Sequence, residues 1–108
     1  MFKRRKKLLE ARRDAMDAYK RAMTNLASFQ KIDQSTKGYV YIRQHHERCM
    51  EIINAYYWDA ITQRSIKEIG ADIGVILAVN ELWAHMYNFG VSIMETGAEK
   101  ITSSTHLY

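Results

Sequence analysis

Proline is absent from this chain of 108 residues, and cysteine occurs only once, at Cys49. Because proline breaks helices and is common in loops, its absence favours long helices joined by short connections. A single cysteine cannot form a disulfide within the chain, which excludes the class of small secreted domains that disulfides stabilise. Glycine is also scarce, with five residues, so the sequence offers few positions at which a helix is expected to end.

The composition is that of one folded domain. Hydrophobic residues make up 47% of the chain and charged residues 26%, which excludes an intrinsically disordered protein. A single domain over residues 1–108 has an ordinary size. The N-terminal basic run is followed by further charged residues and not by an apolar stretch, so no secretory signal is predicted. We therefore expect a cytoplasmic protein, or one within a virion, that is not secreted.

Positive charge is concentrated at the N-terminus. The net charge of the chain is +4, but the first 21 residues carry nine cations against three anions, which is +6, and the remainder carries −2. Such asymmetry indicates a polyanionic partner. The predicted polyanion-binding residues are Lys3, Arg4, Arg5, Lys6, Lys7, Arg12 and Arg13.

Apolar periodicity predicts an all-α fold: a bundle of three to four helices with a long basic N-terminal helix and a nearly all-apolar C-terminal helix. The expected segments are a basic amphipathic helix over 1–31, a second helix over 39–61, a short helix or continuation over 65–70, an apolar helix over 72–95 and a tail over 96–108. Ser65 and Glu68 have the spacing of a capping box, which favours a helix start there. Whether 39–95 contains a break near Ser65 stays open.

Each of the first two helices has a predicted inner face. In the first helix this face comprises Leu9, Met16, Tyr19, Met23 and Leu26. In the second it comprises Ile42, His46, Cys49, Ile53, Tyr56 and Ala60. The spacings of three, four and seven residues place each set on one side of its helix.

The last helix is apolar around most of its circumference, and a helix of that kind is central in a bundle, shared between subunits or in contact with lipid. We expect it to form an oligomer interface. The predicted interface residues are Val75, Val79, Leu82, Trp83, Met86, Phe89 and Ile93.

No pattern for catalysis, a cofactor or a metal is recognisable. His46 and Cys49 are three residues apart on one helix, but a closed zinc site needs four ligands and there is no second close pair. Glu81 and His85 could exchange a proton only if they lined a cleft, and no nucleophile or phosphate-binding glycine loop accompanies them. We therefore expect no catalytic residues, no cofactor and no metal.

These observations favour a non-enzymatic structural protein. The expected protein is a self-associating helical subunit of a larger complex, for example a virion or phage component, whose basic N-terminal helix contacts nucleic acid or another acidic surface. One alternative is a small nucleic-acid-binding or regulatory protein that acts as a free oligomer. A second is a membrane-active helical oligomer, which is less expected because Asn80, Glu81, His85 and Asn88 interrupt the apolar segment.

Overall fold

The structure, a computed structural model, describes the backbone of residues 2–95 and the side chains of residues 3–89. Within this part the chain is all-helical, which confirms the predicted fold class. Helix α1 spans Phe2–Leu26 and continues as a 3₁₀ turn over Ala27–Lys31; α2 spans Tyr39–Thr62 and α3 spans Ile66–Glu95. The predicted tail over 96–108 lies outside the described residues.

Polar contacts define the directions of the three helices. Arg12, near the start of α1, contacts Gln63 just after α2, and Leu26, at the end of α1, contacts His46 early in α2. These two helices are therefore antiparallel. Asn25 of α1 contacts Asn80 of α3, whereas Ala15 shares a cluster with Ile69. Since both sequence numbers increase together, α1 and α3 are parallel.

One main core joins all three helices. Its buried residues are Ala18, Ala22 and Leu26 from α1, Ile42, Cys49 and Ile53 from α2, and Ile76 and Trp83 from α3. A smaller cluster near the start of α3 comprises Ala15, Ala60 and Ile69. Burial of this apolar surface supplies the main driving force for packing the helices together.

The inner face of α1 differs from the predicted stripe. Of the predicted stripe, Leu26 is buried, Tyr19 and Met23 pack against the main core, and Leu9 and Met16 are exposed; the other buried positions are three alanines. The sequence pattern gave weight to large apolar side chains, but small alanines allow helices to pack closely and thus occupy the side that faces α3. In α2 the prediction is closer to the structure, because only Tyr56 of the predicted face is exposed.

Helix α2 ends at Thr62, and after a short connection the chain forms one continuous helix, α3. The backbone N–H of Glu68 donates a hydrogen bond to Ser65 Oγ at 3.3 Å, so Ser65 caps α3 as its spacing predicted. No second break follows: α3 passes through Gly70 and Asp72 without interruption. Asp72 resembles a helix cap in the sequence, but its side chain is buried among the helices instead.

Candidate assembly and polyanion-binding surfaces

The side of α3 that faces away from the core is exposed along its described length. We call this surface the outer face of α3; it comprises Lys67, Gly70, Ala71, Gly74, Leu77, Ala78, Glu81, Leu82, His85 and Phe89. Between Lys67 and Glu81 the outer face carries no charge. The only ionisable residue of α3 between Glu68 and Glu81 is Asp72, which points into the protein. The outer face is therefore uncharged between Lys67 and Glu81, and it exposes large apolar side chains at Leu77 within this stretch and at Leu82 and Phe89 beyond it.

The predicted interface residues divide into three groups in the structure. Leu82 is 50% exposed and Phe89 is 66% exposed, so both are accessible to a partner. Val75, Val79 and Met86 are half-buried, and Val79 packs against the main core. Trp83 is 1% exposed, and its indole N–H donates to the carbonyl oxygen of Asn25 and to Ser28 Oγ. Trp83 is thus part of the core of the single chain. The side chain of Ile93 lies outside the described residues.

The predicted interface residues do not include the small residues of the outer face, which are Gly70, Ala71, Gly74 and Ala78. Their spacing of three and four residues along one helix could have identified them, because this spacing places all four on one face. The same spacing links Leu77 with Glu81 and His85.

The first turns of α1 carry the basic residues predicted to bind a polyanion. The five consecutive cations Lys3 to Lys7 are all exposed, and among the side chains of α1 that the structure describes the first half-buried one is Leu8. We call residues 3–7 the basic end. Because these five side chains are exposed, their ammonium and guanidinium groups are accessible to phosphates or carboxylates.

Arg12 and Arg13 are placed differently from each other. Arg13 is exposed, as a polyanion-binding residue must be. Arg12 is half-buried, and its Nη2 donates a hydrogen bond of 2.8 Å to the carbonyl oxygen of Gln63. That carbonyl terminates α2, so Arg12 satisfies one of the acceptors left open at a helix end. Arg12 therefore stabilises the contact between α1 and the α2–α3 connection.

A groove between α1 and α2 brings apolar residues next to these arginines. It has a volume of about 340 Å³ and is lined by Leu9, Arg12, Arg13, Met16, Tyr57 and Ile61. The lining combines exposed apolar side chains with cationic ones. Such a surface suits a partner that presents apolar groups together with carboxylates. The basic end, which offers only cations, suits phosphates.

A pair of carboxyl groups connects α2 with α3. Burial is the largest of the causes that together raise the pKa of Asp72 to about 6; the others are a hydrogen bond to Asp59 and the negative charges of Asp59 and Glu68. The pKa of Asp59 is lowered, first by a hydrogen bond from Gln63 Nε2 and then by Asp72. Neither carboxyl group lines the groove or the second cavity described below.

The second cavity lies between the end of α1 and α3, with a volume of about 530 Å³. Trp83 and Tyr87 provide aromatic surface, and Asn25, Ser28 and Lys31 provide polar groups. Its walls carry no carboxylate, thiol or imidazole that could act as an acid, base or nucleophile.

His46 and Cys49 are structural residues in this fold. His46 Nε2 lies 3.1 Å from the carbonyl oxygen of Leu26, and its ring stacks on Phe29. The pKa of His46 is lowered, chiefly because burial disfavours the charged imidazolium. Burial likewise raises the pKa of the Cys49 thiol, which keeps it protonated and unreactive. Among the side chains that the structure describes, no three such groups cluster as metal ligands.

No helix in the described part of the chain has the length and apolar character needed to cross a membrane. Comparisons of the chain with protein-family models, with curated proteins and with solved structures find no match.

Proposed function

We propose that this chain is a non-enzymatic structural subunit that self-associates and takes part in a larger assembly, such as a virion or phage component. The observation that carries the proposal is the outer face of α3, which is uncharged between Lys67 and Glu81 and exposes Leu77, Leu82 and Phe89.

The arrangement of these apolar residues supports an interface. Single exposed apolar side chains are normal on soluble proteins, but apolar residues that share one face of a helix mark interaction sites. A partner helix that covered Leu82 and Phe89 would remove apolar area from water, at about 25 cal/mol per Å². Glycine and alanine between the large side chains would allow that helix to approach closely.

The basic end supports contact with an acidic surface. Its five cations are exposed, and each phosphate contact releases condensed counterions, which makes binding salt-dependent but not sequence-specific. Electrostatic attraction of this kind suits a structural subunit that must dock on nucleic acid or on an acidic protein surface regardless of sequence.

Self-association through the outer face is tested by replacing its two most exposed large side chains. Leu82→Ser and Phe89→Ser remove apolar contacts without leaving cavities in the core, because both side chains face solvent in the single chain. We expect each substitution to weaken self-association by at least about tenfold, since a buried side chain of this size contributes about 1.5–3 kcal/mol. Sedimentation equilibrium over a concentration series measures the change.

The matched control variants are Val40→Ser and Trp58→Ser. Val40 is 54% exposed and Trp58 is 63% exposed, so they lose comparable apolar area on α2, away from the outer face. We expect both controls to self-associate like the unmodified chain. An unmodified chain that stays monomeric at all concentrations, or equal effects of the α2 and α3 variants, would contradict the proposed interface.

A second function is favoured by the exposure of the basic end: a small nucleic-acid-binding or regulatory protein that acts as a free oligomer. The two functions differ in the size of the particle that forms without nucleic acid. Light scattering with and without DNA, at low and at high salt, separates them: a large assembly persists at high salt without DNA, whereas a small oligomer changes only when DNA is added at low salt.

A further inference from the structure

Two glycines on the outer face of α3 have no explanation within the single chain. Gly70 and Gly74 lie inside a helix and do not adopt positive φ. A Cβ added at either position would meet no atom within 4 Å, so no neighbour requires glycine there. A glycine inside a helix costs about 1 kcal/mol relative to alanine. A second helix that crosses at this point would explain both residues, because only glycine lets two helix backbones approach most closely.

The charges on the same face indicate how that second helix runs. Lys67 and Glu81 each lie seven residues from Gly74, on opposite sides of it, and within the described residues neither forms an ion pair. Seven residues are about two helical turns, so both charges share the face of Gly74. In a parallel pair, Lys67 would meet the partner's Lys67 and Glu81 the partner's Glu81, which is repulsive. In an antiparallel pair centred on Gly74, Lys67 meets the partner's Glu81, and the contact occurs twice.

We propose that two copies of this chain pair through the outer faces of α3, antiparallel and crossing at Gly74, with Lys67 of each copy beside the partner's Glu81. This geometry rests on the self-association proposed above and identifies its partner and its orientation.

The remaining residues of the face fit this register. We call the line of contact between the two α3 helices the seam. Gly70 lies at the level of the partner's Ala78, and Ala71 at the level of the partner's Leu77. The centre of the seam therefore combines small residues with one larger side chain from each copy. Ile66, which is exposed, lies at the level of the partner's Leu82 on the opposite side of the seam. The two apolar side chains thus cover the seam from both sides, at both ends of the crossing.

Charge reversal tests the register. Lys67→Glu alone, or Glu81→Lys alone, turns two attractive contacts into two repulsive ones, and we expect each to weaken self-association roughly tenfold at low salt. The double variant with both reversals restores opposite charges in the antiparallel pair, and we expect its dissociation constant to return to within about threefold of the unmodified value. Sedimentation equilibrium gives the constants, and circular dichroism verifies that each variant is folded.

Disulfide trapping tests the orientation independently. Lys67→Cys and Glu81→Cys variants are oxidised separately and as an equimolar mixture. In the antiparallel pair only the mixture forms a covalent dimer through unlike positions, because positions 67 and 67 are far apart. The unmodified chain is the control: its Cys49 is buried and protonated, and we expect no covalent dimer from it.

The outcomes separate this inference from the function on which it rests. A chain that is monomeric at every concentration overturns both. A dimer that Leu82→Ser weakens, but in which Lys67→Cys crosslinks to itself, overturns the antiparallel geometry and leaves the interface in place. Failure of the double charge reversal to regain affinity also overturns the proposed register. Rescue by the double variant together with crosslinking only in the mixture supports the proposal.

Discussion

Asp72 shows how one residue couples the fold to pH. Its side chain is 6% exposed, and Oδ2 has no hydrogen-bond partner among the described residues. An ionised carboxylate in that position is costly, so the protonated form is favoured, and its hydroxyl donates a hydrogen bond to the carboxylate of Asp59. The folded state therefore holds a proton between pH 4 and 6 that the unfolded chain has already released.

The sign of the resulting pH dependence follows from linkage. Because the folded state binds more protons than the unfolded state in this range, the contribution of Asp72 to the free energy of unfolding falls as pH rises from about 4 to about 6. Above pH 6 Asp72 is ionised in both states and its unfavourable contribution is constant.

Asp72→Asn is expected to stabilise the protein at neutral and higher pH. Asparagine has a similar shape, carries no charge and can donate its amide hydrogen to Asp59. We expect a gain on the order of 2 kcal/mol in the free energy of unfolding at pH 8, from a pKa difference of about two units, and little difference near pH 4. Urea denaturation at several pH values measures it.

Comparing the unmodified chain with the Asp72→Asn variant at each pH isolates the contribution of the Asp72 carboxyl group to the free energy of unfolding. The contribution of His46, whose lowered pKa makes stability fall as pH decreases, is common to both and cancels. Asp17→Asn is the control, because Asp17 is an exposed carboxylate and its loss should change stability little at any pH. An Asp72→Asn protein that is less stable than the unmodified chain at pH 8 would show that the ionised form is needed in the folded state.

At the level of the helices, Gly70 and Gly74 of α3 lower the stability of the single chain, and in the proposed pair they allow the two α3 helices to approach closely. We expect Gly70→Ala and Gly74→Ala each to raise the stability of the dilute, monomeric chain by up to about 1 kcal/mol, because the added methyl group meets no atom within 4 Å. The expected rise in Tm is several degrees. Thermal denaturation at low protein concentration measures it.

Gly38→Ala is the opposing control for this pair. Gly38 precedes α2 with φ of 87°, a left-handed conformation that alanine adopts only with strain, although there is space for the side chain. We therefore expect Gly38→Ala to lower Tm. A loss of stability in the two α3 variants would mean that these glycines serve the fold of the single chain.

The positions of the helices along the chain were predicted more accurately than which side of each helix is buried. The bounds of α2 and the Ser65 cap follow from local signals, and these the structure reproduces. On the inner face of α1 the prediction included Leu26 but missed the buried alanines, because alanine is compatible with both a buried and an exposed position. On α3, periodicity could not separate Trp83 from Leu82, since apolar residues surround the helix and only packing by α1 and α2 decides which of them is buried.

On the scale of the whole molecule, two surfaces are candidates for contact with partners: the basic end of α1 and the outer face of α3. Since α1 and α3 are parallel, the basic end lies near the start of α3. In the antiparallel pair proposed above, the two basic ends would point in opposite directions along the seam. A long polyanion could contact both ends at once, and linked contacts of this kind strengthen binding beyond that of one site.

Polyanion binding by the basic end is expected to depend on position and not on total charge. Lys6→Gln with Lys7→Gln removes two exposed cations of this end, whereas Lys31→Gln with Lys37→Gln removes two exposed cations elsewhere. If Lys6 and Lys7 each contact a phosphate, the first pair should weaken binding to duplex DNA and reduce the slope of log Kobs against log salt by about 2. Fluorescence anisotropy over a salt series measures both. The second pair should leave the slope unchanged. Equal effects of the two pairs would indicate that net charge alone attracts the polyanion and that the basic end has no special role.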